Sequence, residues 1–210
     1  MTIEKIKTLA IKCLSNNGSH SWDHTLRVHK LCIRIGKEEG ADLDILEMAS
    51  YLHDIGRPVQ DRSKGTICHA EEGAKIAAEL LDGFDMDDKT RSNIIHAIRT
   101  HRFRGTNKPE TLEAKVLFDA DKLDAIGAIG IGRTFQFAGE VGAKLHNPSS
   151  DLKDTRPYTE EDTGYREYKI KLSKIKDRML TNEGFRIAED RHKFMENFFE
   201  RFIKEYNGEL

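Results

Sequence analysis

Residues 21–40 read SWDHTLRVHKLCIRIGKEEG. Val28, Leu31, Cys32 and Ile35 recur at three- and four-residue intervals, the period of one helical face, and Ser21 and Gly40 are residue types that open and close a helix. His24 precedes Val28, Leu31 and Ile35 by four, seven and eleven positions, so its imidazole points where the apolar stripe points. A helix that aims an imidazole at its own core sets the question for the whole chain.

Outward from this stretch the same period continues, and no run alternates with the period of two that marks a strand, so the sequence predicts an all-α fold. A first helix is expected over 2–14. A third runs from about Asp42 to Asp54 and is stopped by Gly56 and Pro58, since Pro58 disfavours helical geometry at Arg57 and has no N–H to donate. A fourth spans His69 to Leu81, closed by Gly83, and a fifth Asp87 to His101, followed by the basic turn RFRGTNKP; Thr111 caps a sixth through Asp124. Beyond the glycine-spaced AIGAIGIGRTFQFAG (125–139), a polar stretch from about Gly139 to Tyr158 reads as a long loop and a candidate lid. Two charged helices, near 160–180 and 184–206, complete one expected domain over 1–210, a compact multi-helix bundle.

Composition narrows the partners. Lys plus Arg (34) nearly balance Asp plus Glu (36), so no molecule-wide field favours nucleic acid or an anionic membrane, and any site for an anion must be local. Three widely spaced cysteines make neither a disulfide framework nor a metal knuckle and read as reduced core thiols. The start, MTIEKIKTLAIKCL, is charged and helix-periodic rather than a signal segment, and no stretch approaches the roughly 18 apolar residues of a membrane span. The expected location is the cytoplasm.

A single histidine on an apolar face is usually a satisfied core residue; several together are not so easily absorbed. His53 follows Leu46 and Ala49 by seven and four, and neighbouring Asp54 can reach the same point only if that point lies beside the helix end that Gly56 and Pro58 create. His101 shares a face with Ile94 and Ile98, and His69 with Gly73, Ile76 and Leu80, whereas His29 and His96 fall off their stripes. The sixth helix is apolar on two sides yet carries Asp119, Asp121 and Asp124, and buried carboxylates are costly unless paired or bound to a cation. A shared divalent ion is the economical reason: two neutral His and two Asp give a locally neutral set of mixed N/O donors suited to Mn, Fe, Zn, Co or Ni, with Mg preferring oxygen alone. Two open positions on such an ion serve water and a phosphoryl oxygen. Arg57 and Lys122 are candidates to hold a phosphate. Arg99, Arg102 and Arg104 read as a solvated basic loop, and Trp22 as packing.

His24, then His53-Asp54 in YLHDIGRP, then Asp121 in FDADKLDA, resemble the H…HD…D signature of the HD-domain metal-dependent phosphohydrolases. WDHTLRV, HAEEGA, AIRTHRFRG, DADKLDAIGAIGIGR and AEDRHKFMENFFERF extend the resemblance to the small stand-alone HD hydrolases. It implies an all-helical fold, a divalent metal held by His24, His53, Asp54 and Asp121, and hydrolysis of a phosphoester or phosphoanhydride of a nucleotide or similar metabolite. Helix position alone leaves Asp119 and Asp121 equivalent; the resemblance selects Asp121, which precedes Lys-Leu. His69 and His101 match positions that bind a second metal in some HD proteins, and with one metal they would act catalytically, as general acid or phosphate donor. The HHE and GYP segments of cyclic-dinucleotide phosphodiesterases are absent. The resemblance leaves two other classes open, a di-iron oxygenase of the same fold and a nucleotide-binding regulator without turnover.

Overall fold

A computed structural model describes residues 2–14, 22–102, 107–147 and 155–210. Ser21 as a cap, Arg104, and positions 148–154 of the expected loop lie outside them. The described residues contain helices and no strand, as the periodicity predicts.

The chain divides into two compact units. The first comprises Met1–Lys122 and Leu180–Gly184. Its helices are α1 (Thr2–Cys13), α2 (Trp22–Glu39), α3 (Leu43–Leu52), α4 (Arg57–Arg62), α5 (His69–Leu81), α6 (Asp88–Thr100) and α7 (Leu112–Leu123, whose last residue falls in the second unit). Gly40, at φ +74°, ends α2 in the left-handed region. Asp42 caps α3 by accepting from the Asp44 and Ile45 N–H groups, and Asp87 caps α6 by accepting from Thr90. Helix α3 packs against α1, α2 and α6, and α5 against α4 and α6. Val28, Cys32 and Ile35 from α2, Leu46, Ala49 and Leu52 from α3, and Ile94, Ala97 and Ile98 from α6 are buried among them.

Helix α4 was not expected. Pro58 ends nothing here: it lies in the first turn of α4, where its missing N–H has no helical partner to lose. Gly56 joins α3 to α4 for a steric reason. A Cβ there would stand 2.3 Å from the His69 carbonyl oxygen and 2.6 Å from the Gly73 nitrogen, so only glycine lets α5 approach this closely.

The second unit, Leu123–Met179 and Phe185–Leu210, holds α8 (Gly127–Glu140), α9 (Gly164–Ile170) and most of α10 (Asn182–Tyr206). The glycine-spaced segment is thus helical. The helix expected over 160–180 is broken: α9 gives way at Lys171 (φ −127°, ψ −56°) to 3₁₀ turns at Leu172–Lys174 and Lys176–Arg178. Leu172 and Ile175, three apart, are both buried, which suits a three-residue turn. Phe199 anchors this unit, stacked on Tyr168 with centroids 4.4 Å apart.

The cysteines are free, as expected, but only Cys32 is a core thiol; Cys13 is exposed and Cys68 half-buried. Trp22 packs on Tyr51, with ring centroids 5.8 Å apart.

Candidate metal centre

Five of the expected residues are buried together. His24, His53, Asp54, His69 and His101 are each no more than 3% exposed, and Asp121 lies beside them, half-buried. They arrive from the N-terminal turn of α2, the turn after α3, the first residue of α5, the residue after α6, and α7.

Two groups of three emerge, each with its donor atoms within 4.8 Å of one another: His24, His53 and Asp121, and Asp54, His69 and His101. Asp54 stands between them. Its Oδ2 is 3.7 Å from Nε2 of both His24 and His53, and its Oδ1 is 3.5 Å from Nε2 of His69 and 3.6 Å from Nε2 of His101. His24 Nε2 is 3.4 Å from Asp121 Oδ1.

Both carboxylates already have cations of their own, so their burial does not by itself require a metal. Arg57 Nε donates to Asp54 Oδ1 at 3.0 Å, and Lys122 pairs with Asp121 and donates to the His101 carbonyl at 3.1 Å. Arg57 and Lys122, expected at a phosphate, therefore have ligand-orienting contacts.

The imidazoles supply the stronger fit test. His53 Nδ1 lies 2.8 Å from the Ser50 carbonyl and His101 Nδ1 2.6 Å from that of Ile98. A carbonyl only accepts, so each Nδ1 carries the proton and each Nε2 presents a lone pair. Those lone pairs point at other donors: His53 Nε2 is 3.4 Å from His24 Nε2, and His101 Nε2 is 3.1 Å from His69 Nε2. Ligand atoms about 2.1 Å from one ion stand about 3.0–3.4 Å apart, so these spacings suit a shared cation. Carbonyl-bound Nδ1–H groups are also how ligating histidines are commonly oriented.

The protonation states agree. Burial is the main cause that lowers His53 to a pKa of about 4 and His69 to about 2, with neighbouring imidazoles adding and Asp54 opposing, so both are neutral near pH 7. Burial pushes the Asp121 carboxyl up, but Lys122 and His24 outweigh it and hold the group well below the ordinary range.

Asp119 and Asp121 now separate. Asp119 turns away and accepts from the Leu180 and Thr181 N–H groups and the Thr181 hydroxyl, at 2.7–3.1 Å, pinning a segment distant in sequence. Asp124 pairs with Arg133 at 2.6 Å. Sequence reasoning missed three residues that hold the ligands: Ser50 and Ile98, through their carbonyls, and Gln60, whose Oε1 lies 2.6 Å from His69 Nδ1. Of the basic loop, Arg99 is exposed and Arg102 donates to the Cys68 sulfur at 3.1 Å.

Comparisons with known proteins give the family. The HD domain family model matches residues 21–126, and the chain belongs to that family. Among its relatives, YpgQ of Bacillus subtilis is 33% identical over 210 residues, 98% of this chain and 94% of its own length. A solved HD-superfamily hydrolase from Bacillus thuringiensis superposes with a TM-score of 0.77 at 34% identity, covering 98% of this chain and 97% of that one. The structure of Bacillus subtilis YpgQ in complex with ADP gives 0.74 at 30%, covering 97% and 94%. Ribonuclease Y of Alkaliphilus metalliredigens shares 34% identity over 115 residues, 55% of this chain but 22% of that enzyme.

Proposed function

We propose that this chain is a divalent-metal-dependent phosphohydrolase acting on a phosphoester or phosphoanhydride of a nucleotide or similar small metabolite. The observation that carries the reading is the set of inward Nε2 lone pairs arranged on both sides of Asp54. His24, His53, Asp54 and Asp121 would hold one ion, and Asp54, His69 and His101 a second. A divalent ion supplies Lewis acidity toward a phosphoryl oxygen and lowers the pKa of water from about 15.7 toward about 7.

The chain's own groups supply the rest. Lys122 keeps Asp121 ionised, and Arg57 holds the Asp54 carboxylate in register with four imidazoles. His69, lowered to a pKa of about 2, carries no spare proton near neutrality, which favours a ligand over a general acid. The ADP bound by the related YpgQ supports a nucleotide as the ligand class. The near-balanced charge favours small molecules over nucleic acid.

The test is turnover by protein stripped of metal and refilled with Mn, Fe, Co, Ni, Zn or Mg, screened against phosphoesters, nucleotides and a short RNA. Hydrolysis that requires the metal and disappears in His53→Ala and Asp121→Ala is expected; hydrolysis that survives those changes overturns the assignment. Two donor groups with the Asp54 carboxylate between them also suit a di-iron oxygenase, for which iron content and oxygen consumption are the discriminating measurements. Tight nucleotide binding with metal in place and no product would mark a regulator.

A further inference from the structure

We propose that Gln60, on the short helix α4, is a positioning residue that fixes the donor atom of His69 and so sets how tightly the Asp54–His69–His101 group holds a cation. The proposal rests on the reading of that group as a metal site.

Arg57 lies one turn earlier on α4. Its Nη1 donates to the Gln60 side chain at 3.2 Å. A guanidinium has donors only, so the amide atom facing it is the oxygen, and the orientation of Gln60 is settled by its neighbour. The same Oε1 lies 2.6 Å from His69 Nδ1. Oxygen cannot donate, so Nδ1 carries the proton, and His69 Nε2 presents its lone pair to Asp54 Oδ1 at 3.5 Å and His101 Nε2 at 3.1 Å. Arg57 closes the circuit through its Nε bond to Asp54 Oδ1 at 3.0 Å. One residue thus aligns a carboxylate directly and an imidazole through Gln60.

Without Gln60 the preference reverses. The His69 proton can move to Nε2, where two acceptors, Asp54 and His101, already face it. The imidazole would then satisfy the cavity with its own hydrogen, and a cation must displace that proton to enter. Loss of such an orienting partner typically weakens a metal site 10–100-fold. The His24–His53–Asp121 group takes its orientation from Ser50 instead, so only one of two ions should respond.

Titration of the full chain with Co²⁺ alone, followed by calorimetry and visible absorption, tests this. The wild type is expected to bind two ions. Gln60→Leu should bind the first unchanged and the second about 10–100-fold more weakly, and Gln60→Glu, which restores an acceptor, should recover the second site. Equal weakening of both ions, unchanged binding in Gln60→Leu, failure of Gln60→Glu to recover the site, or a wild type that holds one ion would each overturn it. Because the readout is binding, two-ion protein that hydrolyses no phosphoester would defeat the functional reading while leaving this assignment intact.

Discussion

Replacing Asp54 by Asn probes the centre most sharply, because the geometry says what each of its two oxygens does. Arg57 donates to the Oδ1 position at 3.0 Å and has no acceptor, so it will hold the Asn oxygen there. The new NH₂ then occupies the Oδ2 position, 3.7 Å from the inward nitrogens of His24 and His53, and aims a donor where a cation belongs. At an ion concentration of 100 times Kd, each bound ion stabilises the fold by about 2.7 kcal/mol. Two ions contribute about 5 kcal/mol, which for a chain of 210 residues raises Tm by about 10–20 °C. Chelated protein, refilled with Mn²⁺ and followed by scanning calorimetry with elemental analysis, should show that gain in the wild type. His69→Ala should retain about half of it. Asp54→Asn should lose the ion at His24 and His53, weaken the other, and gain less than about 5 °C. A full gain in Asp54→Asn would refute the placement of Asp54 between two cations.

Two further outcomes follow from the same contacts. Gly56→Ala puts a methyl against the backbone of His69 and Gly73, which cannot swing aside; a loss of about 1–3 kcal/mol in chemical denaturation is expected, together with fewer ions bound, and wild-type stability would remove the close-approach argument. In metal-free protein His53 is protonated only near pH 4 when folded but near 6.5 when unfolded, so as pH falls between those values the unfolded chain takes up the proton first and stability drops, by about 3 kcal/mol for this residue. Denaturant midpoints from pH 7 to 4 measure it; a flat profile would mean that His53 is not buried neutral.

The long helices were legible because each carries an apolar stripe at helical period, and the inward histidines were legible because they share those stripes. Helix α4 was not: RPVQDR is too short to show a period, and Pro58 carries the same sequence signal whether it ends one helix or opens the next. The contact of Gln60 with His69 was hidden with it. Asp119 and Asp121 are two residues apart and diverge by about 200° on a helix, so one joins the imidazoles while the other anchors Leu180 and Thr181, a pairing across 61 and 62 positions that no local pattern shows. The break after α9 escaped for a related reason, since Tyr168, Leu172 and Ile175 keep a spacing that serves an α-helix as well as 3₁₀ turns.

Anomalous diffraction from crystals grown with Mn²⁺ would locate the ions directly. Peaks between His24, His53, Asp54 and Asp121, and between Asp54, His69 and His101, are the predicted result. Ordered water at both places in fully Mn²⁺-saturated crystals, with the imidazoles bonded only to each other and to protein, would contradict it.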